Sequence, residues 1–409
     1  MAREAAMERD RAQAALAQAQ GTADYLESAI LMGDPQSSEV DPPLSAVLDS
    51  AAARVDQEAD PAVAAAIHRA LASVYLGRGD TEKATHHAQQ AVAGLRDTSS
   101  VDYAVAQTYW AQAIADGGDL EAALPRHEAA VQALGNDDTP GPERSVVLNT
   151  YAVTLAGLGQ SEDAERLYRE AIDAARRGGH STQEATALQN LGALLITLDR
   201  PVESIALYQQ VVEILRDAQT PESTYGLPFA LANLASALST NEQHDEALTT
   251  YREAIAAFDA RLGDTHPEAI ASRVTFALQL HEVGRFGDAV RAAEDVLARV
   301  ETLPEGHPYI AYAQNVAGTA LCDGGDPARG AQLHRTSLAA RRQVFPPDHF
   351  LLANAESVLG ACVARLGRME EARGLLTRSA ETLASSLGED HNRTVAARER
   401  LAAFVASNP

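Results

Sequence analysis

The stretch NTYAVTLAGLGQSEDAERLYREAI, residues 149–172, contains the pattern that decides the fold. A large residue, Tyr151, is followed by a small one, Ala152, and three residues later by Leu155. Positions i, i+1 and i+4 lie on one face of a helix. Gly159 then suits the left-handed backbone conformation that closes a helix, and a second apolar-periodic segment follows it. The stretch therefore predicts two helices that are joined by a tight turn.

The same pattern occurs eight times along the chain. The second half of each copy has one small anchor residue, and successive anchors are 39 to 43 residues apart. The anchors are Ala84, Ala123, Ala164, Ser204, Ala247, Ala289, Gly330 and Ala372. A small anchor matters because facing helices approach closely only where no bulky side chain lies between them. One helix pair cannot bury its apolar face alone, so the sequence predicts an all-α solenoid in which stacked pairs share a core.

This pattern resembles the tetratricopeptide repeat (TPR), which has a large and a small residue at its seventh and eighth positions and a small one at its twentieth. The resemblance covers residues 60–385 and implies a right-handed α-solenoid of about eight helix pairs. Units of this family normally have 34 residues, whereas the period here is about 41. The longer unit, with LGDTHPEAI at 262–270, resembles the kinesin light chain subclass. Two other joints, PPDHFLLA and GEDHNRTVA, lack its proline.

Four histidines recur at the joints between copies, namely His266, His307, His349 and His391. The prolines that follow His266 and His307 suit the first position of a helix, so these histidines are predicted at the N-cap. Equivalent residues of successive copies should be roughly 15–20 Å apart, because two helices separate them. No single metal ion bridges such a distance. We therefore interpret the histidines as structural caps.

Flanking segments lie on both sides of the repeats. Residues 1–59 are predicted to form a long helix over 2–32, a loop, and a short helix over 44–58. Residues 386–409 should form a C-terminal capping helix, because RTVAARERLAAFVAS has the composition and period of one.

The N-terminal part has a resemblance of its own. REAAMERDRAQAALAQAQGTADYLESAILMGDPQ and LSAVLDSAAARV, followed by repeats, resemble the C-terminal TPR region of bacterial Hanks-type serine/threonine kinases. The resemblance covers residues 3 to about 100 and implies a regulatory region of such a kinase. The kinase motifs themselves, a Gly-rich loop, His-Arg-Asp and Asp-Phe-Gly, do not occur in this sequence. An independent repeat protein with an ordinary N-terminal helix is the alternative, and both interpretations stay open.

Charge limits the kinds of partner. Among 409 residues, 57 Asp and Glu oppose 33 Lys and Arg, and the formal net charge is −24. Nucleic acid and anionic lipid both require a basic face, so neither is an expected partner. The sequence contains no apolar run long enough to span a membrane, and MAREAAMERDRAQAALAQAQ lacks the apolar segment of a secretory signal. We expect a soluble cytoplasmic protein, or an extracytoplasmic one if the region is linked to a membrane-spanning kinase.

Catalytic motifs are absent from the sequence. HEVGR at 281–285 begins like a zinc-protease motif but lacks the second histidine, and no phosphate-binding loop or nucleophile elbow occurs. Cys322 and Cys362 are the only cysteines, which excludes a disulfide framework and a four-cysteine zinc site. Without a C-x-x-C motif, we interpret them as small packing residues. The sequence thus predicts a protein that is not an enzyme and that has no metal and no cofactor.

The remaining candidate is the groove that first helices line in tetratricopeptide proteins. Spacing from the core positions predicts a peptide-binding set on this surface: Thr108, Gln112, Asn149, Thr186, Gln189, Asn190, Asn233, Ser236, Tyr312, Asn315 and Thr319. An Asn side chain offers both a donor and an acceptor, so repeated Asn residues can pair with a peptide backbone regardless of its sequence. The alternative is that each Asn bonds a neighbouring helix.

The expected ligand is a protein or an extended peptide that is neutral or basic rather than acidic. The groove positions hold almost no Lys, and Arg69 and Arg365 are the main exceptions. Two rivals remain. A small molecule could be held by Tyr312, His281 and Cys322, or the chain could form a homodimer through its N-terminal helix.

Overall fold

The computed structural model describes residues 52–55, 60–95, 100–135, 141–218, 220–303 and 306–408. Within these ranges the chain forms seventeen α-helices and no strand, which confirms the all-α prediction. The helices are α1 Pro61–Gly77, α2 Thr81–Gly94, α3 Val101–Asp116, α4 Leu120–Leu134, α5 Pro142–Gly157, α6 Ser161–Gly178, α7 Ser181–Thr197, α8 Pro201–Ala218, α9 Pro221–Thr240, α10 His244–Leu262, α11 Pro267–Glu282, α12 Phe286–Val300, α13 Pro308–Asp323, α14 Pro327–Val344, α15 Phe350–Arg365, α16 Met369–Leu387 and α17 Asn392–Ser407.

The helices follow one another as eight pairs, α1–α2 to α15–α16, and α17 comes after the last pair. The chain divides into two compact units, the first ending at Arg200 and the second beginning at Pro201. In sequence, the fourth pair is thus shared between the units, with α7 in the first and α8 in the second. The predicted long helix over 2–32 and the loop after it lie outside the described residues, and the domain bounds stay a prediction.

Apart from α9, first helices contact one another along one side of each unit, which we call its inner side. In the first unit α1, α3, α5 and α7 contact one another in succession, and in the second α11, α13, α15 and α17 do. In the described chain, substantial contacts between a helix and the next but one occur among first helices and α17, and not among second helices. Second helices are instead bridged by long side chains. The Arg329 guanidinium lies 2.6 Å from the Glu294 carboxylate, and Arg335 lies 2.9 Å from Glu371.

The small anchors are among the most deeply buried positions of the pairs. Six alanine anchors and Ser204 have at most 1% of their surface exposed. At Gly330, the eighth anchor, an added Cβ would lie 2.5 Å from Sγ of Cys322 and 2.7 Å from the carbonyl oxygen of Gly318. The anchors therefore occupy the places where one helix meets another with no room for a larger side chain.

The turns inside pairs use a left-handed residue, as predicted. Gly159, Gly284 and Gly367 have φ angles of 75°, 74° and 75°. Two other turns place a non-glycine residue in the same conformation, Asp199 at φ 57° and Glu242 at φ 59°. These two turns were not predicted, because neither aspartate nor glutamate favours a left-handed conformation as glycine does.

The joints between pairs confirm the capping role of the four histidines. Nδ1 of each accepts a hydrogen bond at 3.2 Å from the backbone N–H two residues later. Each histidine therefore satisfies one of the exposed N–H groups at the start of a first helix or of α17.

Both ends of the described chain cover apolar surface. Val55, in the short segment 52–55, is 1% exposed and lies in one core cluster with Ile67 and Leu71 of α1. At the other end α17 contacts α15 and α16, and its Phe404 is 5% exposed. None of the helices in the described ranges is long and apolar enough to cross a membrane.

Replacement of Gly330 by alanine should destabilise the second unit. The added methyl group would meet backbone atoms as well as a sulfur, so overpacking should cost about 1–3 kcal/mol in the free energy of unfolding. Gly374→Ala is the matched control. An added Cβ at Gly374, within α16, has no atom within 4 Å, and this substitution should stabilise by about 0.5–1 kcal/mol. Urea unfolding of both variants measures the difference, and equal effects would contradict the anchor interpretation.

His127 of α4 should make the first unit sensitive to mild acid. Its Nε2 lies 2.9 Å from Oγ1 of Thr154, its ring stacks on Tyr151 at 5.0 Å, and burial lowers its pKa from 6.5 to about 4. Because the folded state disfavours the protonated imidazole, this contribution to stability is complete above pH 6.5 and is lost as the pH falls towards 4. We expect a loss of about 2 kcal/mol between pH 7 and pH 5 from this group.

Chemical unfolding of the wild type and His127→Gln at the two pH values measures this contribution. The variant should lose less stability than the wild type on acidification, even if it is weaker at pH 7. His86→Gln, at an exposed histidine, should behave as the wild type does. If His127→Gln shows the same pH dependence as the wild type, the assignment to His127 is wrong.

Candidate functional site

The inner surface of the first unit carries a bonded pair of amides. Nδ2 of Asn190 on α7 donates a 3.0 Å hydrogen bond to Oδ1 of Asn149 on α5. Both side chains are half-buried. The bond uses one donor hydrogen of Asn190 and one acceptor position of Asn149. This bond does not use the side-chain carbonyl oxygen of Asn190, which is an acceptor, or the NH2 group of Asn149, which is a donor.

Two more predicted residues lie on this surface beside the pair. Thr186 is exposed, and its hydroxyl donates to the carbonyl oxygen of Thr182 at 3.0 Å. Gln189 is half-buried. With Asn149 and Asn190 they form what we call the amide surface, defined as Asn149, Thr186, Gln189 and Asn190. These four side chains are polar and carry no charge.

On α3 the predicted positions differ from the expectation. Thr108 is fully buried, and its hydroxyl donates to the Ala104 carbonyl oxygen at 2.9 Å, so it does not reach the surface. Trp110 of the same helix is half-buried, with the Arg126 guanidinium 3.6 Å from its ring centre, and the next predicted core residue, Ala111, is buried. Gln112, the other predicted residue, is half-buried and hydrogen-bonds Asp116.

In the second unit the predicted residues divide into two groups. Asn233 and Ser236 are on α9, where Ser236 is exposed and hydrogen-bonds Tyr251. Tyr312, Asn315 and Thr319 are on α13, where Tyr312 is 37% exposed. The first helix between α9 and α13 in sequence is α11, and it has no Asn at the corresponding position. The predicted Asn series is therefore not one continuous ladder.

A cavity of about 210 Å³ opens on the first helices near the end of the second unit. Its charged and polar side chains come from α11, α13, α15 and α17, and His334 comes from the second helix α14. The charged and polar lining residues are His281, Thr319, Asp323, His334, Arg365 and Arg400.

Asp323 is the electrostatic centre of this cavity. Its carboxylate lies 2.6 Å from Nε2 of His281 and forms an ion pair with Arg365. The hydrogen bond with His281, together with nearby Arg365 and Arg400, holds the pKa of Asp323 below its usual range despite burial. Arg400 donates to Oγ of Ser357 at 3.2 Å, and burial lowers the pKa of its guanidinium. One carboxylate thus faces three cationic or titratable groups.

The two cysteines correct the sequence interpretation. Cys322 of α13 and Cys362 of α15 form a disulfide with their Cα atoms 5.6 Å apart, at the wall of the same cavity. They are not merely small packing residues. They lie in the equivalent helices of neighbouring pairs, 40 residues apart, and the contact between these two first helices brings their side chains together. A search for C-x-x-C does not detect this arrangement.

His334 of α14 lies beside the disulfide. The sulfur atoms of Cys322 and Cys362 and a ring nitrogen of His334 lie within 4.8 Å of one another. Burial lowers the pKa of His334 to about 4, so its ring is neutral at physiological pH. Among the described residues, this trio is the one His, Cys and carboxylate cluster with the spacing of metal ligands.

Two of the three residues named for the small-ligand alternative line this cavity. His281 and Cys322 line the cavity, but Tyr312 is not among its lining residues. Sequence reasoning missed Asp323, His334 and Arg400. The one usable signal in the sequence was that both cysteines lie in the first helices of neighbouring repeats.

Comparison with known proteins agrees with the helix pairs. The family model of the tetratricopeptide repeat matches residues 143–217 and 227–302. Protein KINESIN LIGHT CHAIN-RELATED 1 of Arabidopsis thaliana is 22% identical over 335 residues, which are 78% of this chain and 53% of that protein. The chain therefore spans about half of the length of this curated relative.

Two solved structures share the fold at low identity. One is a signal transduction ATPase with numerous domains and a tetratricopeptide repeat sensor, from Pyrococcus horikoshii. It has a TM-score of 0.62 and 13% identity, over 90% of this chain and 56% of that chain. The other is a Rap protein complexed with competence and sporulation factor, with a TM-score of 0.51 and 11% identity over 95% of this chain and 98% of that chain.

At these identities the structures show the fold alone, and the resemblance to kinase regions stays a prediction. The helix pairs, the buried small anchors and the matched repeat segments agree with one another. Residues 143–217 and 227–302 match the tetratricopeptide repeat, and the helix pairs before and after these segments have the same architecture.

Proposed function

We propose that this chain is a non-catalytic scaffold or sensor that binds an extended segment of a protein partner against its first helices. The observation that carries the proposal is the Asn149–Asn190 pair on the inner side of the first unit. Interaction scaffolding is the usual role of tetratricopeptide proteins. The Rap protein structure, which contains competence and sporulation factor, is an example of the same fold holding a partner.

The amide surface fits a peptide backbone better than a particular side chain. An extended peptide presents one N–H and one C=O per residue, and an Asn side chain provides one partner for each. Asn149 and Asn190 fix each other's orientation through their 3.0 Å bond. Side chains that are already oriented lose less conformational entropy when they bind. The pair therefore supports recognition of main-chain groups.

Charge favours a neutral or basic partner. The formal net charge of the chain is −24, and the amide surface has no charged side chain of its own. An acidic segment would be repelled by the protein as a whole without a cation to hold it in place. A basic segment would be attracted at long range, which raises its association rate.

A bacterial serine/threonine kinase is the specific partner that the N-terminal resemblance suggests. We propose that this chain acts as the regulatory region of such a kinase, either within one polypeptide or as a separate protein. Its support is the sequence of residues 3 to about 100 alone.

The Asn149→Ala, Asn190→Ala double variant should lose its partner. Two lost hydrogen bonds at about 1 kcal/mol each weaken binding by ~30-fold. Affinity capture from a lysate of the source cell, followed by titration of the captured protein, measures the loss. Gln132→Ala removes an exposed amide from second helix α4, and it should retain the partner.

The unfolding midpoint of the double variant separates binding from stability. A lower midpoint with unchanged capture would mean that the two amides serve only to join α5 to α7. Identical captured sets from all three proteins would contradict the proposed surface.

A small-ligand sensor is the second candidate function, and the cavity around Asp323 favours it. Arg365, Arg400 and His281 could hold an anionic group there, next to a carboxylate that could hold an amine. A compound that binds only the folded protein raises its melting temperature in a concentration-dependent way. In a panel of small metabolites we expect such a compound to lose its effect in Arg400→Gln and keep it in Arg291→Gln. The Arg291 side chain, on the second helix α12, is 73% exposed. If no compound shifts the wild type, this candidate fails.

A further inference from the structure

Three buried side chains from three different helices meet at the wall of the cavity. Cys322 on α13, Cys362 on α15 and His334 on α14 are 6%, 1% and 1% exposed. One sulfur or nitrogen atom from each lies within 4.8 Å of the other two. Such a meeting depends on the packing of two adjacent helix pairs, since no two of these residues are close in sequence.

The surrounding repeat is altered to make room for this trio. Gly330 is the one glycine among the eight anchors, and a Cβ there would lie 2.5 Å from Sγ of Cys322. A Cβ at Gly318 would lie 2.9 Å from Cε1 of His334. The two glycines thus leave the space that the Cys322 sulfur and the His334 ring occupy.

His334 is held in the orientation of a metal ligand. Its Nδ1 lies 3.2 Å from Oδ1 of Asn315, an atom that only accepts hydrogen bonds. With the amide in this orientation Nδ1 donates, and the lone pair of the neutral ring is on Nε2. Histidines that bind metals usually donate their other N–H to a carbonyl or carboxylate oxygen in this way.

We propose that Cys322, Cys362 and His334 form a redox-controlled site for a thiophilic divalent cation, with Zn²⁺ as the ion that fits best. In the oxidised chain the disulfide closes the site. In the reduced chain two thiolates and Nε2 supply three ligands, and the fourth position faces the cavity. Zn–S distances of ~2.3 Å and Zn–N distances of ~2.0 Å require ligand atoms roughly 3.5–3.8 Å apart, which rotation of two cysteine side chains can reach from a disulfide.

The chemistry of the switch balances with a low-molecular-weight thiol as reductant. Two such thiols supply two electrons and two protons to the Cys322–Cys362 bond. The S–S bond breaks, two cysteine thiols form, and the reductant becomes its own disulfide. Binding of Zn²⁺ then releases the two thiol protons to water, since the ligands are thiolates. The two thiolates neutralise the ion, so no further anion is needed beside Arg400.

Both closed forms would hold α13 to α15, one by a covalent bond and the other through the ion. The reduced chain without metal would have neither link. This inference does not depend on the proposed peptide surface, which lies in the first unit, so either can fail alone.

The test uses the full chain. Thiols are counted under denaturing conditions before and after treatment with dithiothreitol, and the reduced protein is then titrated with Co²⁺ without oxygen. We expect no thiols before reduction and two after it. Reduced protein should bind one Co²⁺ with thiolate-to-cobalt charge-transfer absorption, and one Zn²⁺ should displace it. The oxidised protein should bind neither ion at this site.

Variants assign the ligands. Cys322→Ser with Cys362→Ser should abolish the charge-transfer band, and His334→Gln should weaken Co²⁺ binding at least tenfold and change the visible spectrum. His86→Gln should bind as the wild type does. Helicity is measured for each variant, so that loss of the fold is recognised. His334→Gln is the decisive variant, because it retains both thiols.

Three results would overturn the proposal or a part of it. No Co²⁺ or Zn²⁺ bound by reduced, folded wild type would remove the metal site. Wild-type affinity and spectrum in His334→Gln would remove the histidine and with it the three-ligand geometry. Two thiols before reduction would remove the redox control and leave the metal site to be judged by the titration alone.

Discussion

Exclusion of side-chain volume at one position per repeat is the constraint on which the structure depends. The anchors of the second helices are alanine, serine or glycine, and those described by exposure have at most 1% of their surface open. At these positions two helices touch without an intervening side chain. A larger residue would separate the pair and, through it, the contacts to the next first helix. The small size of the buried anchors therefore determines how the first helices are positioned and what surface they form.

The repeat pattern made most of the fold predictable. Periodic small residues indicate the number of pairs, glycines such as Gly159 locate turns, and the recurring histidines locate four of the joints. What escaped prediction was local. Asp199 and Glu242 adopt a left-handed conformation that their side chains do not signal. On α3 Thr108 is buried, whereas Asn149, at the corresponding position of α5, is half-buried. The burial of one polar residue depends on how its neighbours pack, and spacing alone does not contain that information.

The candidate sites were less accessible to sequence reasoning than the fold. Asn149 and Asn190 stand one residue out of register in the repeat alignment, yet their side chains bond. An alignment measures position along a helix, whereas a hydrogen bond depends on the reach of two flexible side chains. The Cys322–Cys362 bond illustrates the same limit. Forty residues separate the two cysteines in sequence, and only the contact between neighbouring first helices makes them neighbours in space.

The disulfide also has a mechanical consequence. It joins the first helices of two successive repeats, and because the two cysteines are 40 positions apart in sequence, the segment between them forms a closed loop. If the two ends of the chain were pulled apart, the oxidised protein would keep that loop from extending. The loop holds back roughly 140 Å of contour length, at about 3.5 Å per residue. Reduction of the disulfide would release this length. The reduced protein could therefore be stretched further than the oxidised one before its backbone is taut.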